Sequence, residues 1–145
     1  GRDEPAPDAF EQIESAYAQL AELEQDVEKS EDALRQACED GDDAALEDGL
    51  EAAQATSISV SNLISDSSVL DDEDGAYAED LEHLQTLGSW LRNRCDILTA
   101  AWERAADAPS FSDVADSVAA SLDAASDYAR LFDENYDEWK PVPAE

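Results

Sequence analysis

YAEDLEHLQTLGSWLRNRCDILTAAWERA, residues 77–105, places Tyr77, Leu81, Leu84, Gly88, Leu91, Cys95, Leu98, Trp102 and Ala105 at alternating steps of four and three. An α-helix turns such a set onto one face, and the mean step of 3.5 is the period of a left-handed bundle seam. The spacing therefore predicts a long amphipathic helix over about 75–107 that buries one stripe against other helices.

Working outward, the same period recurs on both sides. Ala108-Pro109 stops the helix, and Ser110 with Asp113 reads as a cap for a helix over 110–139, whose stripe is Phe111, Val114, Val118, Leu122, Ala125, Ala129, Phe132, Tyr136 and Trp139. Upstream, Asp8 with Glu11 is an acidic capping box for a helix over 8–38, carrying Phe10, Ile13, Tyr17, Leu20, Leu23, Val27, Leu34 and Cys38. Glu39-Asp40-Gly41-Asp42 ends it.

The remaining segment, 43–66, places Leu46, Leu50, Ala53, Ser57, Val60 and Ile64 on a comparable stripe. Within it, Ser57-Ile58-Ser59-Val60-Ser61 alternates with period two, as a strand would. A helix is expected there, because nothing else in the chain offers a partner strand.

Four amphipathic helices on short connections are best buried as an all-α, antiparallel up-down-up-down four-helix bundle of left-handed twist. The expected organisation is a flexible Pro-containing leader at 1–7, one bundle domain at 8–139 and a Pro-containing tail at 140–145. Both flanks would then leave the same end of the bundle as semi-rigid spacers, Pro5-Ala6-Pro7 and Pro141-Val142-Pro143.

Composition sets the environment. The 145 residues hold 38 acids against 8 bases, a formal net charge of −30, and the bases are six arginines with only Lys29 and Lys140 as lysines. At about 1 M salt the Debye length is roughly 3 Å, so self-repulsion that is severe in dilute buffer largely vanishes. Together with 26 alanines and no methionine, this composition resembles that of proteins from salt-accumulating haloarchaea, and the acidity reads as a solvated, halophilic surface. A nucleic-acid partner is disfavoured, since phosphate contacts need clustered Lys and Arg.

No apolar run approaches the roughly 20 residues of a membrane span, and Gly1-Arg2-Asp3-Glu4 does not read as a signal peptide. The chain is expected to be soluble or to follow a removed targeting segment, with an extracytoplasmic tethered placement set slightly ahead of a cytoplasmic one. Oligomeric state is not readable.

Catalytic and cofactor signatures were sought by residue type. His83 is the sole histidine, and with Glu79, Asp80 and Glu82 it offers half of a two-metal carboxylate motif, lacking the second Glu-x-x-His. No metal and no cofactor is expected. Aligning the calcium-loop pattern on Gly75 or Gly41 puts Leu70 or Gln36 at the first ligand position, so both loops fail. No nucleophile elbow, zinc-protease, phosphate-loop or dinucleotide motif occurs, which argues against an enzyme.

Three local readings remain. Levelling the helices brings Glu24, Ser57, Gly88, Arg92 and Ala125-Ser126 to one height, where bulky apolar residues thin out. Glu24 and Glu31 fall where a strict continuation of the first stripe would turn inward, so one reading is a polar middle layer or small cavity that contacts a ligand or partner, with Arg94 or Arg92 gripping a carboxylate or other anion beside Glu24 and the off-seam Trp90 as an apolar wall. The preferred reading is internal: Leu23 and Val27 carry the stripe past Glu24 and leave the acid at its border, and Arg92 to Asp96 is an ordinary i,i+4 pair. Trp102 and Trp139 read as core anchors. Cys38 and Cys95 permit a disulfide, but their levels differ by roughly 15 Å at 1.5 Å per residue, so two thiols are preferred.

The function expected is non-enzymatic: a halophilic bundle, tethered at the cell surface in the favoured version, that binds an unidentified protein or small-molecule partner or senses something. The alternatives are an acidic decoy or carrier for basic proteins, and a metal-binding or enzymatic bundle around His83.

Overall fold

The computed structural model describes residues 9–41, 43–70 and 75–142. Within them lie four long helices, α1 (Ala9–Asp40), α2 (Asp43–Ser67), α3 (Ala78–Asp107) and α4 (Ala115–Trp139), with one turn of 3₁₀-helix at Phe111–Asp113. No strand occurs among the described residues, and the alternating segment 57–61 is helical. The cap at Asp8, the leader 1–7, the linker acids 71–74 and the last residues 143–145 lie outside the described residues.

The helix ends follow local chemistry. Gly41 takes a left-handed φ of 63°, and its N–H bonds the Ala37 carbonyl at 2.8 Å, which closes α1. α3 begins at Ala78 rather than near 75, because Gly75 also takes a left-handed φ of 69° and the chain turns there, Ala78 N–H meeting the Gly75 carbonyl. The start of α4 needs a larger correction. Ser110 does not cap; its backbone is extended and its hydroxyl engages that of Ser112 at 2.9 Å. The 3₁₀ turn and Val114 intervene, so α4 starts at Ala115.

The stripes are buried largely as the spacing requires. Ile13, Tyr17, Leu20, Val27 and Leu34 of α1, Leu46, Ala53 and Val60 of α2, and Val118, Leu122, Ala125 and Phe132 of α4 belong to one core cluster. α3 is buried most widely: beside Leu84, Gly88, Leu91, Cys95, Leu98, Trp102 and Ala105, it buries the row Leu87, Arg94 and Ala101. That second row, seven residues per step, arises because α3 packs against each of the other three helices. The pairs that meet are Phe10 with Tyr77, Tyr17 with Tyr136, Gly88 with Ile64, and Gly49 with Trp102.

The last pair fixes the distance between α2 and α3. A Cβ on Gly49 would stand 2.1 Å from the Trp102 ring, and that ring is 1% exposed with its Nε1–H donated to Ser30 Oγ at 3.0 Å. A helical Gly→Ala change normally stabilises by up to about 1 kcal/mol. Here overpacking of about 1–3 kcal/mol opposes it. Gly49→Ala should therefore lower stability in urea titrations by about 1–2 kcal/mol, yet raise it when Trp102 is already replaced by leucine. Equal effects in both backgrounds would contradict the contact.

Candidate functional site

Two features stand out: a charged centre inside the bundle and a groove along its side. The centre is built on Arg94, the middle residue of the second buried row of α3. Its side chain is 1% exposed, and it points into three glutamates of α1. Nη1 lies 3.6 Å from Glu24, Nη2 donates to Glu31 at 3.4 Å, and Nη2 also donates to Glu28. The spacing 24, 28, 31 puts all three carboxylates on one side of α1. Arg35 lies 3.7 Å from Glu31 and donates to Ser126 of α4 at 3.4 Å.

α4 adds a carboxylate, Asp133, hydrogen-bonded to Glu24. Burial, then the Asp133 charge and hydrogen bond, push the Glu24 carboxyl up to about 7 against the opposing pull of Arg94. Burial alone would lower the Arg94 pKa, but the hydrogen bond to Glu28 and the charges of Glu31, Glu28 and Glu24 outweigh it, and it rises. The centre is not fully hydrogen-bonded: Glu31 Oε1, Arg94 Nε and Arg94 Nη1 are buried without a hydrogen-bond partner among the described residues.

A raised carboxyl pKa ties stability to pH with a definite sign. The folded state holds the Glu24 proton more tightly than the unfolded chain, so this contribution is full below about pH 4.5 and is lost as pH rises through about 7. At about 1.4 kcal/mol per unit, reduced by solvent screening of a half-buried carboxyl, the effect is on the order of 1–2 kcal/mol. Glu24→Gln, neutral at every pH, should match the native chain near pH 4 and exceed it by that order near pH 8. Urea midpoints across this range measure the difference; a constant offset between the two proteins would refute it.

Glu24, Glu31 and Arg94 meet inside the bundle, whereas the preferred expectation left Glu24 at the border of the α1 stripe; Arg94 reaches it because α3 buries a second row. Arg92 does not join them. It is exposed and makes no ion pair among the described residues, so the expected Arg92–Asp96 pair is not formed. Trp90 is also elsewhere: half-buried, its ring centroid is 5.6 Å from that of Trp139, which stacks on His83 at 4.1 Å and 7°. Trp102 is a core anchor as expected. Trp139 is only half-buried, sandwiched at the end of α4 by His83 and Trp90. The nearest carboxylate to His83 is Glu79, at 3.8 Å and itself largely exposed.

Both cysteines are free thiols. Cys95 borders a small gap with Val27 and Ser30, whereas Cys38 lies eight residues further along α1, about 12 Å away along the axis. No bond can span that offset. Burial, then the Asp96 charge, push the Cys95 thiol up to about 12, which leaves it inert.

The groove runs between α1 and α2 as three successive cavities of about 400, 280 and 310 Å³. It exists because the facing side chains are short: Ser15 and Ala33 on α1, and Gly49, Ala52, Thr56 and Ser59 on α2. Leu63 and Leu70 floor one end and the edge of Trp102 the other. Sequence reading did not find it, although its signal is present, since 49, 52, 56 and 59 form a helical row of small residues beside the apolar stripe.

These features define an all-helical protein, among the described residues, with a buried arginine–glutamate centre and an open helix–helix groove. No family of known proteins, no curated protein and no solved structure matches the chain. Among the described residues, no helix is long and apolar enough to cross a membrane.

Proposed function

We propose that this chain is a non-enzymatic, salt-adapted bundle whose task is to bind a partner protein, with the α1–α2 groove as its binding face. The observation that carries the reading is the groove itself. A bundle selected for stability alone fills the space between neighbouring helices, because each unfilled volume forfeits packing. Here three successive spaces stay open along one helix pair, while the α3 side of the bundle is packed with Leu, Trp and Phe. The Arg94 centre, by contrast, is occupied by the chain's own carboxylates and is read as structural.

The scaffold in this reading is an up-down-up-down, left-handed bundle under an acidic coat. Its alternation is supported by the order of the pairs: Phe10–Tyr77 and Ser30–Trp102 advance together along α1 and α3, whereas Tyr17–Tyr136 and Arg35–Ser126 run oppositely along α1 and α4. Exposed acids on every helix, such as Glu22, Glu51, Glu103 and Asp123, support the coat.

A photoactivatable side chain at Ser59, in the groove, and at Ala124, exposed on α4, tests the reading in cells of the source organism. A discrete cross-linked product from position 59 and none from 124 is expected. Products from both positions alike, or from neither, would overturn it.

A further inference from the structure

We propose that the groove receives one amphipathic α-helix of a cationic partner, which seats side chains at i, i+7 and i+14 in the three cavities; this rests on the partner-binding reading above. The geometry of the cavities points to it. Their linings centre near residues 15, 21 and 29 of α1, so the intervals are roughly 9 and 12 Å at 1.5 Å per residue. From the first to the last is about 21 Å. On an incoming helix, i to i+14 spans about 21 Å, and residues seven apart stay on nearly one face. An extended strand would cover the same span in about seven residues and present alternate faces, which the single row of cavities does not match.

The lining chemistry differs along the groove and so specifies the occupant. Ala16, Leu63 and Leu70 give the first cavity an apolar floor within a rim that includes Gln19 and Asp66, and Ala33, Ala52 and Trp102 do the same for the third beside Asp26 and Lys29. The middle cavity is bordered by Gln19, Ser59 and Asn62, whose amides and hydroxyl would pair with a polar side chain. Apolar anchors at i and i+14, with Asn or Gln at i+7, fit this order. This is helix-in-groove recognition, with a central polar residue fixing the register.

Charge decides between kinds of helix. Glu22, Asp26 and Asp66 are exposed along the groove, and Lys29 is the single cation among the described lining residues. A second copy of this chain would bring another −30 to that border. Lys or Arg beside the anchors of a foreign helix is complementary to it, and such rim charges act chiefly on orientation and partner choice.

The probe is a labelled 22-residue helical peptide of Ala and Lys with Leu at i and i+14 and Asn at i+7. It is titrated into the full chain at 2 M KCl and followed by fluorescence anisotropy. Saturable binding is expected, weakened at least tenfold by Ala52→Arg, which fills and repels at the third cavity, and unchanged by Ala124→Arg, which alters net charge equally. Circular dichroism checks that both variants stay folded. A scrambled peptide of equal charge should not bind, and a Lys→Glu version should bind more weakly through the positions that touch Glu22, Asp26 and Asp66, since at 2 M KCl only touching charges interact. Equal binding by the scrambled peptide, or equal weakening by the two variants, would overturn the proposal. So would failure of the designed peptide to bind at all. If cross-linking from position 59 succeeds while the peptide fails, the helix assignment falls and the partner-binding reading stands; if the cross-linking pattern also fails, both fall.

Discussion

Arg94→Leu should cost about 3–5 kcal/mol, the range found when one partner of a buried ion pair is removed. Against a typical total stability of 5–15 kcal/mol, that is enough to leave much of the protein unfolded under mild conditions. The cost does not come mainly from losing attraction. It comes from Glu31, 5% exposed, and Glu24, 16% exposed at the side chain, which lose the cation that offsets their burial. Glu24, already pushed up by burial and Asp133, would then favour its protonated form further, so the deficit should shrink as pH falls from 8 towards 5.

The same geometry makes a second variant informative. Arg94 Nε, Arg94 Nη1 and Glu31 Oε1 are buried without hydrogen bonds among the described residues, so the centre recovers only part of its desolvation cost. Removing the arginine together with its most buried carboxylate should thus restore part of the stability: Arg94→Leu combined with Glu31→Leu is expected to be more stable than Arg94→Leu alone, the remaining deficit coming from Glu24. Urea unfolding of the two single variants and the double, at one molar KCl concentration, measures the coupling. Additive losses would show that the arginine and the glutamate are not a unit. Arg94→Lys should fall between, because a single ammonium cannot reach the carboxylates at 24, 28 and 31 together.

What the sequence made legible follows from how directly a residue's period reports burial. The four helices came from apolar spacing, but the polar layer was only the less favoured of two readings, because Leu23 and Val27 can continue the α1 stripe past Glu24 and leave that acid at the border. Arg94 was placed beside the seam and not on it, because the reading followed one stripe per helix. A helix that touches three neighbours buries two rows, and Leu87–Arg94–Ala101 is the second. The start of α4 was missed for a different reason. Ser110 and Asp113 have the cap spacing, but the hydroxyl of Ser112 competes for Ser110, a choice between two local hydrogen bonds that composition does not decide. The groove was overlooked because small residues in an alanine-rich chain look like filler until the facing helix also offers small residues at the same height.

The second large effect concerns salt. Adjacent packed helices stand about 8–10 Å apart. In about 10 mM salt the Debye length is roughly 30 Å, so every exposed acid on one helix acts on those of its neighbours; at 1 M it is roughly 3 Å, and only touching charges interact. With a net charge of −30 on 145 residues, the repulsion opposes only the assembled bundle, since unfolding separates the charges. Far-ultraviolet circular dichroism at pH 7 should therefore lose about half or more of its 222 nm signal between 2 M and 10 mM KCl. The signal should return on adding salt. The buried Arg94 centre is shielded from mobile ions, so Arg94→Leu should lower the whole salt curve without changing its slope. Full helicity in 10 mM KCl would mean that the 38 acids are already held apart by the fold. A flattened slope in Arg94→Leu would mean that the centre is open to solvent ions, and the assignment of that arginine as an internal structural charge would fail with it.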